Sequence, residues 1–503
     1  MTETMTNADN FWLHMDHPTN LMIITGIMEF KETLDYDEAC ATLENRLCAF
    51  NRFKQRVVMP LSGYGAASWE FDPYFDIRSH FHRVSLPGAG DKETLQRMVS
   101  DLMTIPLDRS KPLWSCHLIE NYKQGCALFF RLHHCIADGI SLVHVILSTT
   151  DKEPGIPLFE AKRAGLEKKR TPPSFMPLAQ LMANASGVID KTRIIGGKLR
   201  AEGSKVFSRP SYLKTLIKNT SGTSVDTAAV LTRLAMMPFD PKTCFKGPLG
   251  VRKRVAWSNR ISLGNVKTIG KALGATINDV LIASVAGALR QYLMMRGDRV
   301  RETELRAAIP VNIREPGTAF ELGNKFSLVF LALPVHIEDP IFRLREVKKR
   351  MDHLKQSPDA AVAFMVLRAL GISSAAIAKK ASNFFGNKAT AVLTNVPGPP
   401  KPLYFSGKKV ENFIGWVPRA GRVGMGISIF SYAGKVGIGL VTDEGLVSDP
   451  ETILKNFEAE LNHLLDIVKT GKTTHEPLVD DGNASGPEAF LKAEKGVLFQ
   501  PHT

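Results

Sequence analysis

The sequence predicts a mixed α/β protein of two domains, and three observations lead there. A chain of 503 residues, 44% hydrophobic and 23% charged, has globular composition but is too long for one ordinary core. Apolar runs of strand length alternate with segments whose apolar residues recur at helical spacing, and they do so in both halves. Between the halves the composition shifts to Pro, Gly and an excess of Lys and Arg. The divisions are a first α/β domain over 1–150, a basic linker over 151–225, a second α/β domain over 226–471 and a polar tail over 472–503.

The elements follow in order. NLMIITGIMEF, Asn20 to Phe30, reads as a strand, and DYDEACATLENRLCAF, Asp35 to Phe50, as an amphipathic helix. GCALFFRLHHC, Gly125 to Cys135, is apolar enough for a buried strand. The helix after it should place Ile140, Val143, His144 and Leu147 on one face. In the second half, Thr276 is placed to cap a helix running to Leu293, with Asp279 three residues on. LRAAIPVNI and NKFSLVFLALPVHI read as strands, and DPIFRLREVKKRMDHL as an amphipathic helix. ATAVLTNVPGPP should end a strand in a rigid turn, and VGMGISIFSYAGKVGIGLV should form a glycine-rich hairpin.

The formal charge of +14 bears on partners rather than fold. No nucleic-acid motif accompanies it, which argues against nucleic acid and leaves phosphorylated ligands and anionic lipid. The N-terminus lacks a basic region followed by an apolar one, so a cytoplasmic chain is expected. The longest apolar stretch, Ala361 to Ala378, is interrupted by Arg368 and should form a buried or channel-lining helix. Six scattered cysteines without a CxxC pair should be reduced thiols.

The chemistry is concentrated in RLHHCIADGISL, Arg131 to Leu142. Adjacent residues leaving a strand project in opposite directions, so His133 and His134 are poor candidates for one metal ion even with Asp138 nearby. As core filler, two histidines and an aspartate would need several buried hydrogen-bond partners. General-base catalysis explains more: a neutral imidazole with one nitrogen fixed can take a proton from an alcohol or thiol. Asp138 would then cap the next helix or pair with an arginine, and Gly139 would permit a sharp turn and close approach to a ligand. Cys135 is ill placed to serve as a nucleophile for His134.

HHCIADG resembles the HHxxxDG signature of the CoA-dependent acyltransferases of the chloramphenicol-acetyltransferase-like superfamily. Over nearly its whole length the chain is similar to bacterial wax ester synthase/acyl-CoA:diacylglycerol acyltransferases. PLDRSKPLW, the IND of Ile277 to Asp279, PVNIRE, GNKFS, TNVPGPP and the closing SDP carry this likeness. The resemblance implies two chloramphenicol-acetyltransferase-like domains with the active-site channel between them. It implies His134 as general base, His133 as its neighbour and Asp138 as a structural acid. Asn278 would polarise the thioester or hold the acceptor, supported by Asp279, while Pro112, Leu113 and Trp114 would shape the wall. The substrates would be acyl-CoA and a fatty alcohol or diacylglycerol, with no cofactor and no metal. The protein would sit peripherally on the inner membrane or lipid inclusions. A carrier-dependent acyltransferase with the same signature and a non-catalytic lipid-surface protein are the alternative readings.

Overall fold

The computed structural model describes residues 2–60, 65–158, 232–313, 322–357, 359–371 and 375–471. Most of the basic linker, residues 159–225, and the tail, 472–503, lie outside the described residues. The first linker residues form a strand: Asp151–Glu153 pairs with Tyr404–Phe405 from the other half.

One five-stranded sheet carries the histidine signature. Its order is Asn412–Trp416, Ile23–Phe30, Gly125–His133, Trp114–Tyr122, Phe81–Ser85, and all neighbours are antiparallel except the last two. All nine residues of Gly125–His133 are buried, which is why this strand reads as a continuous apolar run rather than an alternating one. The register sets Ile23 opposite His133.

A larger sheet runs Lys253–Trp257, Lys435–Asp443, Met425–Tyr432, Ala391–Pro397, Leu305–Asn312, Phe326–Leu333, with Ile261–Ser262 beside Lys435–Asp443. Helices Leu263–Leu273, Ile277–Met295, Pro340–Gln356 and Pro450–Thr470 build one core against it. The expected hairpin is present. A two-residue turn, with Ala433 at φ 48° and Gly434 at φ 73°, has the positive pair of dihedrals that matches strand twist.

The two sheets are stitched together. Asn412–Trp416 comes from the second half of the chain yet completes the first sheet, with Gly415 opposite Gly26. Ile27, Phe129, Val255, Trp257, Ile414, Trp416 and Val441 form a shared core along this seam. Gly439 is required there, because a Cβ at that position would lie 2.7 Å from the Gly415 carbonyl oxygen.

Four expectations need correction. The Asp35–Phe50 segment is a short helix, Tyr36–Thr42, followed by a wider π-helical turn, Leu43–Leu47, and a 3₁₀ turn, Asn51–Lys54, comes directly after it. Helix Gly139–Ser148 buries Ser141, Leu142, Val145 and Ile146 as well as His144 and Leu147, while Ile140 and Val143 are only half-buried. It is enclosed on more sides than a single stripe implies. Asn395, which its place just before the Pro/Gly run assigns to the turn with Pro397 to Pro399, lies within strand Ala391–Pro397. The Ala361–Ala378 stretch is split between helices Asp359–Gly371 and Ala375–Gly386. Leu367, Leu370 and Ala378 from it pack with Phe11, Trp12 and Phe326. Among the described residues no single helix is long and apolar enough to cross a membrane.

Candidate active site

The signature sits where a strand gives way to a helix, as its sequence requires. Strand Gly125–His133 ends at the first histidine and Asp138 caps helix Gly139–Ser148. One carboxylate oxygen of Asp138 accepts the Ser141 N–H at 3.0 Å, the usual N-cap bond. The other accepts the Lys325 N–H at 3.0 Å, tying the turn to the second half of the chain. Two further backbone bonds fix the pair: His133 N–H to the Leu113 carbonyl (3.0 Å) and His134 N–H to the Met22 carbonyl (2.7 Å).

The two rings have different surroundings. His133 Nδ1 accepts the Cys135 N–H at 3.1 Å, so in the neutral ring Nε2 carries the proton. That nitrogen faces Asp16 Oδ2 at 3.8 Å. Asp16 accepts from Met22 N–H (2.9 Å) and Arg109 Nη2 (3.1 Å). Burial would raise the Asp16 carboxyl, but His133, the Met22 N–H and Arg109 outweigh it and bring the pKa down to about 2.

His134 is 6% exposed and stacks on Trp12, centroids 4.5 Å apart at 23°, with Phe326 5.3 Å away. Burial pushes its pKa down to about 4, against the opposing influence of its own carbonyl, the Asp138 charge and the Asn324 side chain. The ring is therefore neutral at physiological pH.

Asn324 supports this histidine from the second half. Its backbone N–H and Nδ2 donate to Asp9 Oδ1 at 2.9 and 2.7 Å, and Nδ2 also donates to the His134 carbonyl at 2.8 Å. The Thr6 hydroxyl donates to the other Asp9 oxygen at 2.6 Å. Asn324 Oδ1 and His134 Nδ1 are both buried without a hydrogen-bond partner. They are complementary when Nδ1 carries the proton, and that tautomer leaves the Nε2 lone pair available.

A second polar group sits at the start of helix Ile277–Met295. Thr276 and Asp279 form a reciprocal capping box, with Thr276 N–H to Asp279 Oδ2 at 2.9 Å and Asp279 N–H to Thr276 Oγ1 at 3.2 Å. Half-buried Asn278 accepts from Asn395 Nδ2 at 3.0 Å, which leaves its own amide N–H groups as donors. Neither Asn278 nor Asp279 hydrogen-bonds His134.

The Pro112–Trp114 segment differs from expectation. Trp114 is a core residue: its ring stacks on His80 at 4.7 Å and its Nε1 donates to the Phe53 carbonyl at 2.8 Å. Pro112 and Leu113 are buried beside it, and what the segment gives the site is the Leu113 carbonyl that holds His133. Gly139 makes no left-handed turn; it is the first residue of its helix, and a Cβ there would meet open space. Cys135 is buried in the core with its thiol pushed well above the ordinary range by burial.

Sequence reasoning missed Asp9, Trp12, Asp16, Arg109 and Asn324. Arg109 and Asn324 lie inside PLDRSKPLW and GNKFS, so their blocks were visible although their roles were not. Nothing local to NADNFWLHMD announces that it packs on a histidine more than a hundred residues later.

Comparison with known proteins gives the family and the fold. Residues 5–281 match the family model of the wax ester synthase/diacylglycerol acyltransferase catalytic domain, and 322–465 match the corresponding C-terminal domain. The probable diacylglycerol O-acyltransferase tgs1 of Mycobacterium tuberculosis is 28% identical over 455 residues, covering 88% of this chain and 90% of that protein. Its probable diacylglycerol O-acyltransferase tgs2 is 28% identical over 409 residues, covering 80% and 84%. Among solved structures, the wax ester synthase/diacylglycerol acyltransferase from Marinobacter aquaeolei VT8 shares the fold with a TM-score of 0.64 at 21% identity, over 93% of this chain and 100% of that one. The first condensation domain of the calcium-dependent antibiotic synthetase shares it with a TM-score of 0.56 at 14% identity, over 92% and 97%. The chain thus belongs to the wax ester synthase/diacylglycerol acyltransferase family, enzymes that transfer acyl groups to make wax esters or triacylglycerol.

Proposed function

We propose that this acyltransferase moves a long-chain acyl group from acyl-CoA to the hydroxyl of a fatty alcohol or a diacylglycerol, with His134 as general base. Acyl-CoA is a substrate, and no cofactor or metal takes part in the reading. The observation that carries it is the state of His134: a buried, neutral ring stacked on Trp12 with Phe326 beside both, its Nδ1 fully buried.

Nε2 takes the hydroxyl proton as the oxygen attacks the thioester carbonyl. The tetrahedral oxyanion then needs donors already in place, and the Asn278 amide, oriented by Asn395, suits that task. Collapse breaks the carbon–sulfur bond, and the imidazolium returns its proton to the CoA thiolate. The Asp138 charge stabilises the imidazolium while it exists. Because the acyl chain and the acceptor both come from apolar phases, the protein works from the surface of the inner membrane or of lipid inclusions.

The test offers labelled palmitoyl-CoA to purified protein with hexadecanol and with diacylglycerol in parallel, for the intact chain and for His134→Ala. Labelled ester from the intact chain, lost in the variant, is the expected result. Turnover from a carrier-linked thioester but not from acyl-CoA would replace the reading with a carrier-dependent one, and undiminished turnover by His134→Ala would remove the base.

A further inference from the structure

The pattern Thr-x-x-Asp opens two helices, and the two aspartates are used differently. At Thr276–Asp279 the capping box closes: the carboxylate turns back and accepts the N–H of its own cap residue. At Thr6–Asp9 only half of it forms. Thr6 Oγ1 accepts the Asp9 N–H at 3.2 Å and donates to Asp9 Oδ2 at 2.6 Å. Asp9 Oδ1 goes instead to the second half of the chain, accepting the Asn324 N–H and Nδ2 at 2.9 and 2.7 Å.

Helix capping does not account for this choice. Asp9 is 4% exposed and forms no ion pair among the described residues; Arg52, the cation that acts on it from a distance, is paired with Glu3. Burial raises its pKa against the opposing influence of Thr6, Asn324 and Arg52. A buried carboxylate without a counter-ion carries a desolvation cost that a surface cap avoids.

Both sides of this carboxylate lead to His134. The Asn324 Nδ2 that it accepts also donates to the His134 carbonyl at 2.8 Å. The helix it helps to start, Asn7–His14, carries Trp12 three residues on, and Trp12 stacks on the imidazole with centroids 4.5 Å apart. One carboxylate thus joins the hold on the histidine backbone to the hold on its ring.

We propose that Asp9 is a positioning residue for acyl transfer: through Asn324 and the Trp12 helix it sets where the His134 ring stands, without touching a reacting atom. The assignment rests on the reading of His134 as general base.

The test compares the full chain with Asp9→Ala, Asp9→Ser, Asp9→Asn, Asn324→Ala and the double variant Asp9→Ala/Asn324→Ala. The readouts are kcat, KM for palmitoyl-CoA and for the acceptor, and melting temperature, with rates taken well below the lowest melting temperature. Asp9→Ala should lower kcat by about tenfold or more, as a displaced catalytic group does, and leave both KM values unchanged. Asp9→Ser, too short to reach Asn324, should do the same and serves where alanine prevents folding. Asp9→Asn should recover most of kcat, because its carbonyl oxygen can accept from both Asn324 donors while its amide donates to Thr6 Oγ1. The double variant should fall well short of the product of the two single losses, because Asp9 acts through Asn324.

Losses that multiply in the double variant would overturn the proposal, and so would Asp9→Asn as slow as Asp9→Ala. A lowered melting temperature with kcat intact in Asp9→Ala and Asp9→Ser would make Asp9 a helix cap only. If His134→Ala turns over undiminished, the general-base reading fails and takes this assignment with it. If His134→Ala is inactive while Asp9→Ala keeps its kcat, the positioning role fails and the reading stands.

Discussion

Asn324 Nδ2 donates to the carbonyl of His134 at 2.8 Å although 190 positions separate the two residues. The second half of the chain therefore holds the histidine that the first half supplies. Asp9 anchors Asn324 from the other side, so three distant segments converge on one imidazole.

Replacing Asn324 with alanine should lower kcat more than it raises the KM for acceptor, because the ring loses its orienting partner. Asn324 raises the pKa of His134, so its removal should move the acid limb of the kcat/KM profile to lower pH. An unshifted limb with a lowered melting temperature would mark Asn324 as a structural residue only.

His134→Ala should reduce turnover by about 10² to 10⁴-fold with the fold intact, the range of positioned acid–base catalysis. His133→Ala should cost less, because His133 shapes the turn through the Cys135 N–H and Asp16. Initial rates and circular dichroism on both variants check this, and equal losses would contradict the division of roles.

Asp138→Asn keeps an oxygen for the Ser141 N–H but sets an amide nitrogen against the Lys325 N–H. One partly buried donor is then left unsatisfied, costing at most about 1–3 kcal/mol. Melting temperature and activity should fall together. A loss as deep as that of His134→Ala at unchanged melting temperature would point to direct proton transfer by Asp138.

Asp16 has a folded pKa of about 2, below its ordinary 3.8. A depressed carboxyl stabilises the fold above its unfolded pKa, and that contribution is lost as pH falls through the folded value. Its stabilisation, about 2 kcal/mol, should therefore be fully present above about pH 4 and disappear toward pH 2. Denaturant titrations of Asp16→Asn should show a flatter stability curve in that window. Parallel curves for the two proteins would mean that Asp16 is not held by His133 and Arg109.

The basic segment from Lys162 to Lys218, outside the described residues, should dock the protein on anionic membranes, each Lys or Arg near the surface adding about 1 kcal/mol. Co-sedimentation with anionic liposomes should weaken with salt and with Lys168, Lys169 and Arg170 changed to glutamine. Salt-independent binding, indifferent to those changes, would assign docking to apolar contacts instead.

Much of the fold was legible. Strands Ile23–Phe30 and Gly125–His133, the capping box of Thr276 and Asp279, and the two-residue hairpin at Ala433 and Gly434 are each encoded within a few residues. The strand-to-helix corner at His133–Gly139 was legible for the same reason. Apolar periodicity, a side-chain cap and a positive-φ turn are local physics. The buried helix Gly139–Ser148 shows the limit, since apolar residues all around a helix do not reveal its phase.

By itself, then, the sequence determined the alternating elements, the two halves, and a histidine pair at a strand end with an aspartate capping the next helix. Tertiary structure alone decided that Trp12 and Phe326 cluster with His134, that Asp16 and Arg109 stand behind His133, and that Asn412–Trp416 crosses into the first sheet. It also turned Trp114 from an expected wall of the site into core. The physical reason is that such contacts depend on strand register and on which distant surfaces become buried together. A register shift of one residue would turn every side chain of a strand to its opposite face without changing the local pattern that specifies the strand.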